Sequence, residues 1–399
     1  MKPAMYGISV SLAFAPALLA FVLLSPGVAL ARDVRSLSTE NEWNSTQINA
    51  LGGVGYMSEE FVDQFFSDPS LPQKRKSKFE LQLGSAHVMY SNDLQKTVKD
   101  ARAFQSESEG SDSSGANGTV ELLDKVRSLF GRKLTGGANF TAFALRGGGL
   151  TVVPYASAFV DGGADIPSWP RVAGVVDSYA GLGVGYGFTV GKWWELGANI
   201  RPGFRAYAQA AADVSAVGDF AGSEQASVSA EASDFASYGA GFYVPLDIGT
   251  GAMIGKETRV NLVARNVGGA PAFATIKGEK PPVYPMRLSL GLGSDVYEKG
   301  QHRVSLGSDV QDLLGITAPN GIWYRWQWAG QYAYRIGSRK ETSLGLNTGL
   351  RSGYPAVGLF LDLYLLKLEG AWFTRETGFY AGQRPQQAWS FRAWSQMTF

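Results

Sequence analysis

Leu182-Gly183-Val184-Gly185-Tyr186-Gly187-Phe188-Thr189-Val190 puts an apolar side chain at every even position and glycine or threonine at every odd one. A period of two belongs to a β-strand, whose successive side chains point to opposite faces. One face is oily and the other nearly bare. After a Gly191-Lys192 turn, Trp194, Leu196, Ala198, Ile200 and Phe204 continue the oily side against Glu195, Asn199, Arg201, Gly203 and Arg205. The charged side must look into water.

The same sorting returns along the chain. Met286, Leu288, Leu290 and Leu292 oppose Arg287, Ser289 and Asp295; Val304, Leu306 and Val310 oppose Arg303, Ser305 and Asp309. Ile322, Tyr324, Trp326, Trp328, Tyr332 and Tyr334 oppose Arg325, Gln327, Gln331 and Arg335, and Leu344, Leu346 and Leu350 oppose Ser343, Asn347 and Arg351. A soluble β-sandwich also alternates. Long apolar faces set against Arg and Asp in strand after strand, up to a final Phe399, are instead how a barrel in lipid distributes its side chains, apolar outward and polar into the lumen. An open sheet edge in hydrocarbon would leave peptide groups unpaired at several kcal/mol each, so the sheet must close. The expected fold is therefore all-β: a transmembrane antiparallel β-barrel of about 14 strands, an even number, with an N-terminal plug and short rim helices. The strands start near Phe79, Gly136, Leu150, Tyr179, Trp194, Tyr238, Thr258, Met286, His302, Ile322, Thr342, Val357, Leu368 and Trp389.

Composition agrees. The chain has 50 Gly, 22 Phe, 17 Tyr and 10 Trp in 399 residues, where an ordinary chain has ~7% Gly. Lys2, the apolar run Ile8 to Leu24 and the small-residue triplet Ala29-Leu30-Ala31 read as a secretory signal peptide over 1–31, cleaved after Ala31. No later stretch is long and apolar enough for a helical span, and without cysteine there is neither a lipid-anchor site nor a disulfide framework. Residues 32–78 lack barrel-type strands and form the plug segment, with Gly52, Gly53, Asp68 and Pro69 as its marked positions. Residues 79–399 form the barrel, interrupted by a helical and disordered insertion at 91–133 and a long polar loop at 208–237. Within the insertion, Leu94 to Phe104 and Val120 to Phe130 have helical spacing and flank the polar run Glu107 to Gly118.

Two early strands depart from the rule. Ala142 to Leu145 and Leu150 to Val160 are apolar or small on both faces, so Phe143, Tyr155 and Phe159 become candidates for an inward patch that touches either the plug or a hydrophobic ligand. Pro202 and Pro245 fall inside strands, where each removes a ladder donor, and predict bulges or local openings. Inward arginines, with Arg201, Arg205, Arg265 and Arg325 as lumen candidates, have two readings. They attract anionic head groups, or they pair with Glu195, Asp295, Asp309, Asp362 and Glu369 to fill the lumen and hold the plug. On the first reading, replacing Arg201 and Arg205 by Ala leaves folding intact and alters passage.

The glycine-rich start Leu51-Gly52-Gly53-Val54-Gly55, the stretch to Asp68-Pro69-Ser70-Leu71, and Ala264-Arg265-Asn266-Val267-Gly268-Gly269 resemble the FadL-like outer-membrane long-chain fatty acid transporters and their PorV-like scaffold relatives in type IX secretion. The family has Asn-Pro-Ala where this chain has Asp68-Pro69-Ser70, so only the Pro is kept. The resemblance implies a fourteen-stranded barrel with an N-terminal plug and, in the transporters, a side opening for apolar substrates.

The functional expectation is a channel in a Gram-negative outer membrane passing hydrophobic small molecules, in contact with lipid and a hydrophobic ligand. The alternative is a scaffold barrel whose loops hold a partner protein. An enzyme is not expected: the two histidines, His87 and His302, carry no catalytic signature. No metal spacing or phosphate loop is present, so no cofactor is expected. The net charge of +1 gives no footprint for nucleic acid.

Overall fold

The computed structural model describes residues 43, 45–58, 60–71, 79–108, 132–165, 171–191, 193–213, 236–255, 257–269, 272–278, 281, 283–315, 322–337, 342–376 and 385–399. The signal-peptide reading, the second helical pattern and most of both polar loops lie outside these residues.

Fourteen antiparallel strands close on themselves. They are β1 (Glu80–Ser91), β2 (Lys133–Gly147), β3 (Leu150–Asp165), β4 (Arg171–Val190), β5 (Trp194–Ile200 and Gly203–Asp213), β6 (Ala236–Tyr243 and Leu246–Ile254) and β7 (Thr258–Arg265 and Ala272–Gly278). There follow β8 (Arg287–Lys299), β9 (His302–Val310), β10 (Trp326–Ile336), β11 (Thr342–Arg351), β12 (Tyr354–Leu363), β13 (Leu366–Glu376) and β14 (Pro385–Thr398). Each strand is laddered to the next, and β14 returns to β1 through Glu80↔Thr398 to Ser91↔Ala388. Closure thus satisfies both edges of the sheet.

The period-two reading fixes which face is which. Leu182, Tyr186, Phe188, Ile200, Leu290, Leu306, Trp328, Leu344, Leu346 and Leu350 are all exposed, while Asn199, Arg201, Gln327, Gln331 and Asn347 on the opposite face are buried. Oily side chains outside a closed cylinder are stable only against lipid, which makes this a transmembrane barrel. Replacing Leu346 by Arg is accordingly expected to cost about 2–4 kcal/mol, read as a lower urea midpoint for the heat-modifiable gel shift. Leu346→Phe, which keeps an apolar outward side chain, is expected to leave the midpoint in place.

The sequence expectation differs from the structure at several boundaries, most of all in β4, which starts at Arg171 and not near Tyr179. The strand expected from Ile322 starts at Trp326, because Ile322–Arg325 forms a single helical turn. The loop expected from Ala208 starts later, since the upper piece of β5 stays paired with β4 as far as Asp213.

Inside the barrel lie α1 (Thr46–Ala50), a 3-10 turn (Gly55–Met57) and α2 (Phe61–Ser67). Ser45 caps α1 by accepting from the Ile48 N–H. Phe61, Val62, Phe65 and Phe66 give α2 a buried apolar stripe. A longer helix, α3 (Asn92–Ser108), follows β1 at the rim and covers the expected Leu94 to Phe104 pattern.

Candidate functional site in the plugged lumen

The bare inner face is a mould for the plug. A Cβ on Gly183 or Gly185 would meet the Phe65 ring, one on Gly197 the Pro69 carbonyl, and one on Gly249 the side chains of Asp68 and Pro69. On the far wall, Gly349 lies against Leu51-Gly52 and Gly358 against Ala50. The plug answers in kind. Gly52 and Gly53 have φ of +64° and +99°, in the left-handed region, and a side chain on Gly52 would strike the Leu350 backbone. The Tyr56 hydroxyl accepts from the Ser308 N–H at 2.9 Å, tying the 3-10 turn to β9.

Two buried ionic anchors hold α2 at its ends. At the first, Arg392 of β14 contacts Glu60 and lies 3.0 Å from Asp63. Asp63 also accepts from Trp43 Nε1 at 3.2 Å and from Ser45 Oγ at 2.5 Å. At the second, Arg259 of β7 donates to Asp68 at 2.7 Å, to Ser70 Oγ at 2.7 Å and to Glu195 at 2.8 Å, while Asn261 donates to Asp68 at 3.0 Å. Burial alone would raise the Asp68 carboxyl, but Arg259 and the Ser70 donors outweigh it and hold Asp68 below the usual carboxylate range. Between the anchors, Arg146 donates to Gln64 at 2.8 Å and to Glu80 at 2.6 Å.

The wall is interrupted side by side in three neighbouring strands. β5 breaks at Arg201-Pro202, β6 at Val244-Pro245 and β7 after Arg265. Single bonds bridge the breaks: Leu182 N to Pro202 O at 3.0 Å, Arg201 N to Pro245 O at 3.0 Å and Val267 N to Leu246 O at 2.8 Å. Proline has no N–H, which explains the first two breaks. In β7, Asn266 has φ of +52° and turns the chain out of the ladder. One buried carboxylate staples all three breaks. Asp247 accepts from Arg201 Nη2 at 3.1 Å and from the Asn266 N–H at 2.9 Å, with Arg201 Nε in ion-pair distance at 3.0 Å. Arg201 Nη2 also donates to Asn266 Oδ1 at 3.0 Å.

Behind the breaks lies an aromatic patch. Tyr155 packs edge-on to Phe66 at 5.3 Å and to Tyr179 at 6.0 Å, and its hydroxyl is 3.0 Å from that of Tyr243. Phe159 adjoins Tyr179 at 6.3 Å, and Tyr243 adjoins Tyr284 at 5.9 Å. In this state the plug occupies the patch, with Phe66 stacked on Trp43 at 4.5 Å.

The structure thus brings together Arg201, Tyr155 and Phe159 of the expected lumen residues, with Arg205 adjacent. Arg205 makes a bidentate pair with Asp177 at 2.9 and 2.6 Å and lies 3.9 Å over the Tyr284 ring. Its removal would strand a buried carboxylate, so Arg205 fits the pairing reading, with Asp177 as an acid the sequence did not single out, and the intact folding expected on the ligand reading does not hold for it. Arg265 donates to the Ser67 carbonyl at 2.9 Å and so serves the plug. Arg325, in its helical turn, donates to the Asp312 carbonyl. Phe143 is a second correction. It faces outward at 42% exposure, because the β2–β3 register shifts between Phe140 and Leu145 and parity reverses beyond Thr141. The acid partners Asp177 and Asp247, and the anchors Arg146, Arg259 and Arg392, escaped sequence reading. Each stands at an inward position of its strand, which is a usable signal, but the partner across the lumen has no sequence spacing to reveal it.

No family model matches the sequence, and no curated protein matches it. Among solved structures, the toluene transporter TbuX of Ralstonia pickettii is similar at 11% identity and a TM-score of 0.46, over 90% of this chain and 99% of that one. The monoaromatic hydrocarbon channel CymD is similar at 12% identity and a TM-score of 0.45, over 89% and 97%. The Pseudomonas putida toluene transporter TodX is similar at 11% identity and a TM-score of 0.43, over 89% and 97%.

Proposed function

We propose that this chain is an outer-membrane channel for hydrophobic small molecules, with the plug closing the axial route and the interrupted wall of β5, β6 and β7 serving as a side exit into lipid. The observation that carries this reading is the coincidence of the three strand breaks with the aromatic patch. Ordinary barrels keep an unbroken ladder, since each lost backbone bond in hydrocarbon costs several kcal/mol. Three losses at one height, behind which Tyr155, Phe159, Tyr179, Tyr243 and Tyr284 line the lumen, suit an apolar solute moving sideways. Short turns such as Gly148-Gly149 and Gly300-Gln301 at one end, longer connections at the other, and both barrel termini on the short-turn side support an outer-membrane orientation.

In this reading Phe66 vacates the patch when a solute enters, and Tyr155 is the first wall residue the solute meets. Tyr155→Asp places a carboxylate in the apolar path and is expected to slow uptake of an uncharged hydrophobic dye into cells by about tenfold or more, from the cost of moving the dye past a charge in a dry site. Tyr155→Phe is expected to retain uptake. Unchanged uptake in a Tyr155→Asp barrel that still shows the heat-modifiable shift removes the side exit.

A further inference from the structure

The first plug anchor is unbalanced. Glu60 and Asp63 of the plug and Glu369 of β13 surround the single guanidinium of Arg392, all of them buried. Glu369 and Arg392 are direct register partners, as are Arg392 and His87 of β1. His87 brings no positive charge, because its Nδ1 accepts from the Asn139 side-chain amide at 3.1 Å in a fully buried setting. Lys367, the next inward residue of β13, is committed to Asp362 at 2.9 Å. Nor does Arg146 help, since it pairs with Glu80.

A buried group of three carboxylates and one cation is not stable fully ionised, so it takes up a proton. Hydrogen bonding indicates where. Asp63 receives donors from Trp43, Ser45 and Arg392, the set an anion needs. The Glu60 carboxyl touches Arg392 but has no well-formed hydrogen bond to either oxygen, whereas Glu369, with one unpartnered oxygen, is fixed in the wall and does not move with α2.

We propose that Glu60 is a proton-dependent catch for the plug: neutral, it lets α2 sit beside Asp63, Glu369 and Arg392; ionised, it drives α2 off the wall. Burial, more than Asp63 or Glu369, pushes the Glu60 carboxyl well above its ordinary value, and Arg392 only partly offsets this. The sign follows from linkage. A docked-state affinity for protons above the undocked one contributes docking strength fully present below the ordinary carboxyl range, and that strength is lost as pH rises toward the docked value. Asp68 at the second anchor has the opposite sign, since Arg259 and the Ser70 donors hold it below the ordinary carboxylate range against its burial. The catch regulates the channel proposed above, but its test does not depend on what the channel carries.

The test uses the full chain reconstituted in a planar bilayer, with ion conductance between pH 5 and 9 reporting plug excursions. Wild-type open probability is expected to climb with pH, at a limit of about tenfold per unit for each proton released. Glu60→Gln is expected to stay closed at high pH and to lose one proton from the slope, while Glu369→Gln keeps the Glu60 slope. A wild-type barrel silent across the whole range, or a Glu60→Gln barrel that opens as steeply as wild type, overturns the catch. Either result leaves the side exit untouched, because dye uptake at a single pH tests that separately.

Discussion

Asp247→Ala is expected to unfasten the wall where its three strands are interrupted. The carboxylate holds Arg201 and the Asn266 N–H at one point, and its removal takes the counter-charge from a buried guanidinium that keeps Asn266 Oδ1 among its partners. Breaking one side of a buried pair costs about 3–5 kcal/mol. The ladders on either side of the breaks are unaffected: the lower pieces pair from Trp194↔Ala252 to Ile200↔Leu246, and the upper ones from Gly203↔Tyr243 to Ala210↔Ala236. The loss should therefore fall on the breaks and leave the cylinder intact. Hydrophobic dye uptake is expected to rise several-fold, with the heat-modifiable shift retained. A folded variant with unchanged uptake would mean that the staple does not limit passage.

Arg392→Leu is expected to be the most damaging single change to plug seating. It leaves Glu60, Asp63 and Glu369 facing one another without a cation, at a cost of about 3–5 kcal/mol, or roughly a hundred-fold to a few thousand-fold in the docking equilibrium. Steady ion conductance through the reconstituted barrel, in place of brief openings, is the measurement. Arg303→Leu supplies the contrast. Its pair with Asp295 is 3.0 Å long but partly exposed, so roughly 1 kcal/mol or less is at stake and conductance is expected to stay at the wild-type level. Equal leakage from both variants would show that the plug is not held by its buried anchor.

The barrel was legible because lipid imposes the coarsest of sequence patterns. Wherever a strand runs unbroken, one parity is oily, and Leu182 to Val190 or Leu344 to Leu350 can be assigned to a face without knowledge of their neighbours. Parity fails where a single residue is added. Gly84 of β1, at φ of +67°, marks the residue added relative to β14, β2 shifts by one residue against β3 at the same level, and Phe143, paired in register with Leu83, is thereby turned to the outside. The prolines announced two wall breaks, but the third rests on Asn266, a residue type that tolerates the left-handed region without advertising it. The arginines gave their direction and not their role. Whether Arg205 meets a ligand or Asp177 is decided by a ladder between β4 and β5, and whether Arg259 serves the lumen or Asp68 is decided by where the plug comes to rest.

Of the two strands that flank the breaks, β4 alone is seen to run past them among the described residues. Arg171 to Gly181 pairs with the upper piece of β5 and Val184 to Val190 with the lower piece, so one backbone bears both. On the opposite flank, β8 is laddered to the lower piece of β7, from Arg287↔Arg265 to Ser294↔Thr258. The upper pieces of β5, β6 and β7 therefore make a leaf, three strands wide, that hangs from β4 as a door hangs from its post. Such a leaf can swing without any strand leaving its neighbour, and amide exchange would then be quickest at Arg201 and Val267, whose N–H groups bridge the breaks, and slowest within the ladders on either side of them.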